Sequence, residues 1–272
     1  PFLLFLLAFI VYPVIQNLYY SFTNYNLGRA PSWIGLRNYT RLMGDEVFQQ
    51  AVLNTVIFAV FSVAGLLLVS LCAAIALNRA TRWAPAVRAV TLYPYAMSMI
   101  AVSMVWLLLL DPTNGYINKL LTLLHLPRRM WLFDTSLALG CLIAISVWKD
   151  SGYCMLVLLA GMQAIDTALY DAARVDGANA FGQMRHVTLP GLKPVLLFVS
   201  VNSCIAAFKT FEQVQTMTGG DPLYSTTTIV HQIYQRGFGE YKMGYAASMS
   251  VVLLIMLLIV TALNFRAYGM EE

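Results

Sequence analysis

Charged side chains are scarce in this sequence: Asp, Glu, Lys and Arg make up 11% of its 272 residues, where soluble globular domains carry about 25%. Hydrophobic residues make up 59%. With 17 Lys and Arg and 13 Asp and Glu, the chain cannot cover a particle of its size with polar groups, which excludes an ordinary soluble globular protein. Its main solvent is lipid. The net charge is +4 and no basic run exceeds the Arg128-Arg129 pair, so there is no nucleic-acid footprint and no nucleic-acid partner is expected. Cys72, Cys141, Cys154 and Cys204 are dispersed through apolar stretches, which fits neither a metal cluster nor a disulfide scaffold; they read as small core hydrophobes.

Several catalytic signatures are missing as well. There is no Gly-Lys pair, hence no phosphate-binding loop, and no His-Glu-x-x-His or Gly-x-Ser-x-Gly. His125, His186 and His231 stand alone and read as surface or loop residues. Leu3–Ile10 lacks the basic flank and small-residue site of a signal peptide. Because Pro1 lies inside an apolar run, a preceding segment is expected.

What the sequence has is long apolar runs. A bilayer core of about 30 Å needs about 20 apolar residues per helix. Pro1–Gly28, Val47–Asn78, Ala89–Leu110 and Met243–Phe265 carry no charge and predict helices one, two, three and six. Leu137–Gln163, interrupted by Lys149 and Asp150, and Pro194–Thr216, interrupted by Lys209 and Glu212, predict helices four and five. The expected fold class is therefore all-α: a polytopic membrane protein of six transmembrane helices, one domain over residues 1–272. Pro13 and Pro94 are expected to kink helices one and three. Lys and Arg in short loops set orientation. The two sides are balanced in number, but Asn78–Arg88 holds Arg79, Arg82 and Arg88 with no acid, which places that loop, Ile165–Lys193 and both termini in the cytoplasm.

The most informative stretch is Ile165–Pro190. It reads as two short amphipathic helices around a glycine: Asp166 caps the first, Gly177 supplies a left-handed end, and Asn179 or a neighbour starts the second, which is expected to stop before Pro190. Val175, Phe181 and Met184 offer apolar surface to a soluble partner. From the residues alone, a docking element and a solvated connector both stay open.

The spacing Asp171-Ala172-Ala173-x3-Gly177-x9-Val187-x-Leu189-Pro190 closely resembles the signature loop of permease subunits of bacterial ATP-binding-cassette importers, with Asp171 for the usual Glu and Val187 for the usual Ile. Tyr12-Pro13, Tyr20–Tyr25, Ile34–Tyr39, Leu92–Tyr95, Trp106, Gly115–Asn118, Val147–Lys149 and Thr218–Pro222 are similar to the carbohydrate-uptake branch. The resemblance covers nearly the whole chain and is to the first permease subunit of a maltose-type or glycerol-phosphate-type importer, in a compact form.

That resemblance implies a division of labour. Residues 165–190 would be a coupling loop, with Asp171, Ala172, Ala173 and Gly177 as its signature and Ala178, Asn179, Ala180, Phe181, Gly182 and Met184 in the stretch that docks on an ATPase. The expected partners are a second permease subunit forming a heterodimer, two ATPase subunits, an extracytoplasmic solute-binding protein and the lipid bilayer of the bacterial cytoplasmic (inner) membrane. No cofactor is expected on this chain, since ATP and Mg would be used by the partner ATPase, and the chain itself is not expected to be an enzyme.

Ionisable groups within a bilayer face the bundle interior, pair, or mark a solute path. Lys209 and Glu212 are three residues apart and are expected to share a helical face and neutralise each other; adjacent Lys149 and Asp150 are expected to diverge by about 100°. By position in the resembling family, Lys149, Asp150 and Tyr153 on helix four and Ala207 and Thr210 on helix five would line the solute path. Lys209, Glu212 and Gln213 join them as neighbours on physical grounds. The competing assignment is that the charges are structural ion pairs. An ion-coupled secondary transporter would also place charges at mid-membrane, but it should show an internal repeat, which is not seen, and has no need of the hairpin.

Overall fold

The computed structural model describes residues 1–28, 30–78 and 82–267. Arg79, in the arginine-rich Asn78–Arg88 loop, and the tail beyond Ala267 lie outside the described residues. The chain is all-α and multi-pass, as expected. In order, the helices are α1 (Phe2–Ser21), α2 (Arg37–Met43), α3 (Glu46–Leu77), α4 (Ala84–Ala96), α5 (Met99–Leu109), α6 (Tyr116–Leu123) and α7 (Ala138–Gln163). They continue as α8 (Thr167–Val175), α9 (Ala180–Gly191), α10 (Lys193–Phe208), α11 (Glu212–Met217), α12 (Ile229–Tyr234) and α13 (Met243–Ala267). Helices α1, α3, α7 and α13 are each long and apolar enough to span a bilayer; the bent pairs α4–α5 and α9–α10 complete six if each pair is one span.

Helices two, four and six match their sequence expectations to within two residues, and helices one, three and five depart from theirs, the last ending at Phe208 rather than Thr216. Helix one stops at Ser21 rather than Gly28, because Asn24 accepts from the Ser32 backbone N–H (3.0 Å) and hydroxyl (2.7 Å), offering the chain a turn in place of a helix. At Pro13 the distortion expected takes the form of a π turn at Leu7–Val11, after which the regular helix restarts at Tyr12 with the proline in its first turn, where the missing donor is least felt. Helix three is not kinked at Pro94 but broken three residues later, at Met97–Ser98, and its halves are bent by 99°.

α3 is the central post. It packs on α7 and α10; α7 also holds α4, and α13 packs on α1 and α10. Small residues set the closest approaches. A Cβ at Gly152 would fall 1.9 Å from the Thr91 carbonyl oxygen, so α4 and α7 touch backbone to backbone. Ser70 donates to the Ser151 carbonyl (3.1 Å) between α3 and α7, and Ser200 to Asn264 Oδ1 (2.5 Å) between α10 and α13. Large apolar side chains such as Phe9, Leu68, Leu108 and Leu258 face outward on the spans, as a lipid solvent requires.

The end remote from the α8–α9 hairpin is closed by polar ties. Asp45 caps α3 by accepting from the Val47 and Phe48 N–H groups, accepts from the Tyr245 hydroxyl (2.7 Å), and lies 3.7 Å from Arg236. Burial pushes its carboxyl pKa up, but the Tyr245 hydroxyl, the two N–H groups and Arg236 outweigh that and hold it below the ordinary value.

Candidate functional site

Two constructions carry the sequence-predicted residues. The first is a cavity of about 660 Å³ walled by α3, the α4–α5 break, α7 and the end of α10. That volume lies within the roughly 300–1,000 Å³ of small-molecule sites. Lys149, Asp150, Tyr153, Ala207, Lys209, Thr210, Glu212 and Gln213 all line it.

Two helix breaks border this space. Tyr95 and Met99 flank the break between α4 and α5; Lys209, Thr210 and Phe211 form the break between α10 and α11. Irregular backbone at membrane depth is tolerated only where protein or a cavity satisfies it. Here the Thr210 carbonyl accepts from the Thr228 hydroxyl (3.0 Å), and the Lys209 N–H donates to the Ile205 and Ala206 carbonyls (both 3.2 Å).

The charges do not sit as the sequence suggested. Lys149 and Asp150, expected to diverge, meet at 3.5 Å, because the Lys149 stem is long enough to bend back while its ammonium also donates to the Tyr95 carbonyl (3.3 Å). The ammonium lies 5.3 Å from the Tyr95 ring centroid, a cation–π distance. Lys149 is 9% exposed, and a buried cation with three such neighbours is compensated rather than stranded. Conversely, Lys209 and Glu212 make no ion pair among the described residues. The helix ends between them, so the three-residue spacing no longer places them on one face.

Gln213 is 1% exposed and both ends of its amide are engaged: Oε1 accepts from the Ser146 hydroxyl and Nε2 donates to the Leu142 carbonyl, both at 2.7 Å. It clamps α11 onto α7 and so positions the break. Sequence reasoning did not single out Tyr95, Asn202, Ser203 or Phe211, which share the cavity wall. Tyr95 stacks on Tyr153 at 4.6 Å with 10° between ring planes, forming a flat aromatic floor beside the ion pair. Its signal was the neighbouring Pro94, which marks the irregular segment.

The second construction is the hairpin. Asp166 accepts from the Ala168 N–H (2.9 Å) and Asn179 from the Gly182 N–H (2.8 Å), so both caps are where they were expected. Gly177 has φ +80°, the left-handed conformation that glycine adopts without steric cost. One expectation is corrected: the second helix does not stop before Pro190. A π turn at Met184–Thr188 carries it to Gly191, with the Leu189 N–H donating to the Met184 carbonyl, so the proline enters where the hydrogen-bond register has already shifted. Asp171, Ala172, Gly177, Asn179, Ala180 and Phe181 are exposed; Ala173, Ala178, Gly182 and Met184 are half-buried. Val175 and Phe181 are 87% and 74% exposed. Asp171 pairs with Arg174 at 2.8 Å.

Three further sequence expectations are resolved by burial. His231 is not a surface residue: it is 2% exposed and sits 3.0 Å from the Thr227 hydroxyl. His125 and His186 are exposed. Of the cysteines, Cys154 is buried, Cys141 and Cys204 are half-buried, and Cys72 is exposed, so Cys72 is no core residue.

Residues 65–268 match the family described as binding-protein-dependent transport system inner membrane component. The chain is 32% identical over 273 residues to the sn-glycerol-3-phosphate transport system permease protein UgpA of Agrobacterium fabrum, covering 98% of this chain and 91% of that protein. It is 32% identical over 259 residues to the sulfoquinovosyl glycerol transport system permease protein SmoG of the same organism, covering 94% and 84%. Among solved structures, a chain of a bacterial ABC transporter involved in the import of the acidic polysaccharide alginate superposes with a TM-score of 0.83 at 26% identity, covering 98% of this chain and 93% of that one.

Proposed function

The chain belongs to the family of binding-protein-dependent transport system inner membrane components, and from that membership we propose how its parts divide the work of an ATP-binding-cassette importer. Residues 1–272 act as one permease domain that pairs with a second, different permease subunit. Together they form the path for a sugar or a related polyol or glycerol-phosphate solute handed over by an extracytoplasmic binding protein. The chain is not an enzyme and binds no cofactor; ATP and Mg are consumed by two partner ATPase subunits, on which the α8–α9 hairpin docks. It resides in the bacterial cytoplasmic membrane with both termini inside.

The observation that carries this reading is the convergence on one cavity of eight residues singled out from helices four and five, between two helix breaks and beside the Tyr95–Tyr153 stack. A flat aromatic face and a ring of hydroxyl, amide and charged groups suit a polyol. Lys149 and Lys209 balance Asp150 and Glu212 in formal charge, so the wall tolerates a neutral solute and still offers cations to an acidic one. The named solutes of UgpA and SmoG are glycerol derivatives, consistent with that range.

The test is reconstitution of the complex in vesicles, followed by a panel of sugars, polyols and glycerol phosphodiesters, each with its binding protein. Stimulated ATP hydrolysis by one class identifies the solute. A chain that purifies alone and moves solute without an ATPase would instead be a secondary carrier.

A further inference from the structure

A row of aromatic rings leads out of the cavity at the end of α10 opposite the hairpin. Phe211 lies in the helix break and lines the cavity. Its ring centroid is 5.0 Å from that of Tyr234, and Tyr234 is 5.7 Å from Phe238. Exposure rises along the row: Phe211 is half-buried, Tyr234 is 41% exposed and Phe238 61%. Tyr234 and Phe238 are brought together by the π turn at Gln235–Gly239, a kind of wide turn found often at functional sites. On the same cavity wall lies the Tyr95–Tyr153 stack, so aromatic faces stand at the cavity and outward from it.

We propose that Phe211, Tyr234 and Phe238 form an entry subsite that takes the apolar face of a pyranose ring and delivers it to the cavity. This rests on the carbohydrate reading above. A pyranose presents C–H groups on its ring faces and hydroxyls on its rim, so it stacks on aromatic rings while its rim stays hydrated; an acyclic glycerol phosphate has no such face. The argument for a sugar rather than a docked protein is continuity. Phe211 belongs both to the row and to the cavity wall, so a ring stacked on Phe238 or Tyr234 has an aromatic neighbour at each step inward.

The test uses the assembled importer complex, titrated calorimetrically with maltotetraose and, separately, with sn-glycerol 3-phosphate. Tyr234→Leu and Phe238→Leu keep apolar bulk but lose the aromatic face. Each is expected to weaken maltotetraose binding by about 3- to 10-fold, the range of an aromatic stacking contact, and to leave glycerol phosphate binding unchanged. Tyr234→Phe and Phe238→Tyr should restore maltotetraose binding. Unchanged maltotetraose affinity in both leucine variants overturns the subsite. So does an equal loss for both probes, which would mark a general distortion. Loss of binding-protein-stimulated ATP hydrolysis with maltotetraose affinity intact would make the row a protein-docking face instead. If the wild-type complex binds neither maltotetraose nor any pyranoside of the ATPase panel, the carbohydrate reading fails and takes the subsite with it; wild-type binding with unaffected leucine variants sinks the subsite alone.

Discussion

In the hairpin, Asp171, Val175 and Phe181 are open to solvent and make few ties to the rest of the chain; in the cavity, Lys149 and Gln213 are almost sealed off and held by hydrogen bonds from other elements. In the function proposed above, the two regions serve different ends. A surface that meets another protein leaves its apolar groups uncovered until the partner arrives. A polar site at membrane depth must satisfy every donor and charge from within, because lipid supplies no hydrogen bonds. Substitutions in the packing behind the cavity should therefore act through assembly, those of the groups that face the cavity through uptake, and those in the hairpin through coupling, and five variants test that separation.

The largest effect is expected at Gly152. A Cβ there would sit 1.9 Å from the Thr91 carbonyl oxygen, so Gly152→Val must force α4 from α7 and cost more than the ~1–3 kcal/mol of ordinary overpacking. Lys149, Asp150 and Tyr153 ride on the same helix, so the cavity should be lost with the assembly. Size-exclusion chromatography of the complex checks this; a monodisperse, fully active variant would mean that the helices are not in contact at this point.

Next comes Gly177→Val. A Cβ would meet nothing within 4 Å, so the damage is confined to the backbone, whose φ of +80° costs a β-branched residue about 1–2 kcal/mol. The complex should assemble, but the docking stretch would be re-aimed. Solute uptake is expected to drop by about tenfold or more while ATP hydrolysis persists, in the range of ordinary coupling energies. Parallel uptake and hydrolysis assays on the same vesicles decide it: normal uptake removes the coupling role.

These two glycines also mark how far the sequence could be read. Gly177 was legible because its role is local: a capped helix, a left-handed residue and a second cap lie in one continuous stretch, and spacing alone places them. Gly152 was not, because what demands it is Thr91, on a helix more than fifty residues away. The same holds across the site. The long spans were legible from apolar length, and the eight residues singled out from helices four and five line one cavity, although Lys209 and Thr210 lie in the break after α10 and Glu212 and Gln213 on α11. The Lys149–Asp150 pair was misjudged because rotation per residue ignores a long side chain's reach. The Lys209–Glu212 pair was misjudged because nothing in the apolar pattern announces that helix five ends at Phe208. Tyr95 was missed because it joins the cavity only once helix three breaks.

A smaller effect is expected at Asp150. Its carboxylate meets Lys149, which keeps the Tyr95 carbonyl and ring, so Asp150→Ala should leave assembly intact. What it removes is an acceptor facing the cavity. A hydrogen bond to a charged group is worth about 1.5–3 kcal/mol, so uptake should fall by about tenfold, the lower end of that range, if Asp150 contacts solute. Thr210→Ala removes a neutral hydroxyl from the same wall and should cost less. Unchanged uptake of the transported solute in both would make these residues structural.

The smallest effect is expected on the hairpin's own ion pair. Arg174 donates to Asp171 across one turn of α8 at 2.8 Å, but their side chains are 63% and 66% exposed. Pairs that open to water contribute about 0.2–1 kcal/mol, and screening takes most of that at physiological salt. Arg174→Ala should therefore barely move the thermal midpoint of the complex. Its effect on coupling discriminates further. Asp171 is a methylene shorter than the Glu usual at this position, so a contact with an ATPase subunit needs close approach, and Arg174 competes for the same oxygen. Freeing Asp171 should leave uptake within about twofold of wild type, since surface pairs of this kind carry little net energy. A midpoint lowered by several degrees would show that the exposed pair holds the hairpin in shape. The hairpin would then be a structural element like the cavity wall, and the contrast between the two regions would not stand.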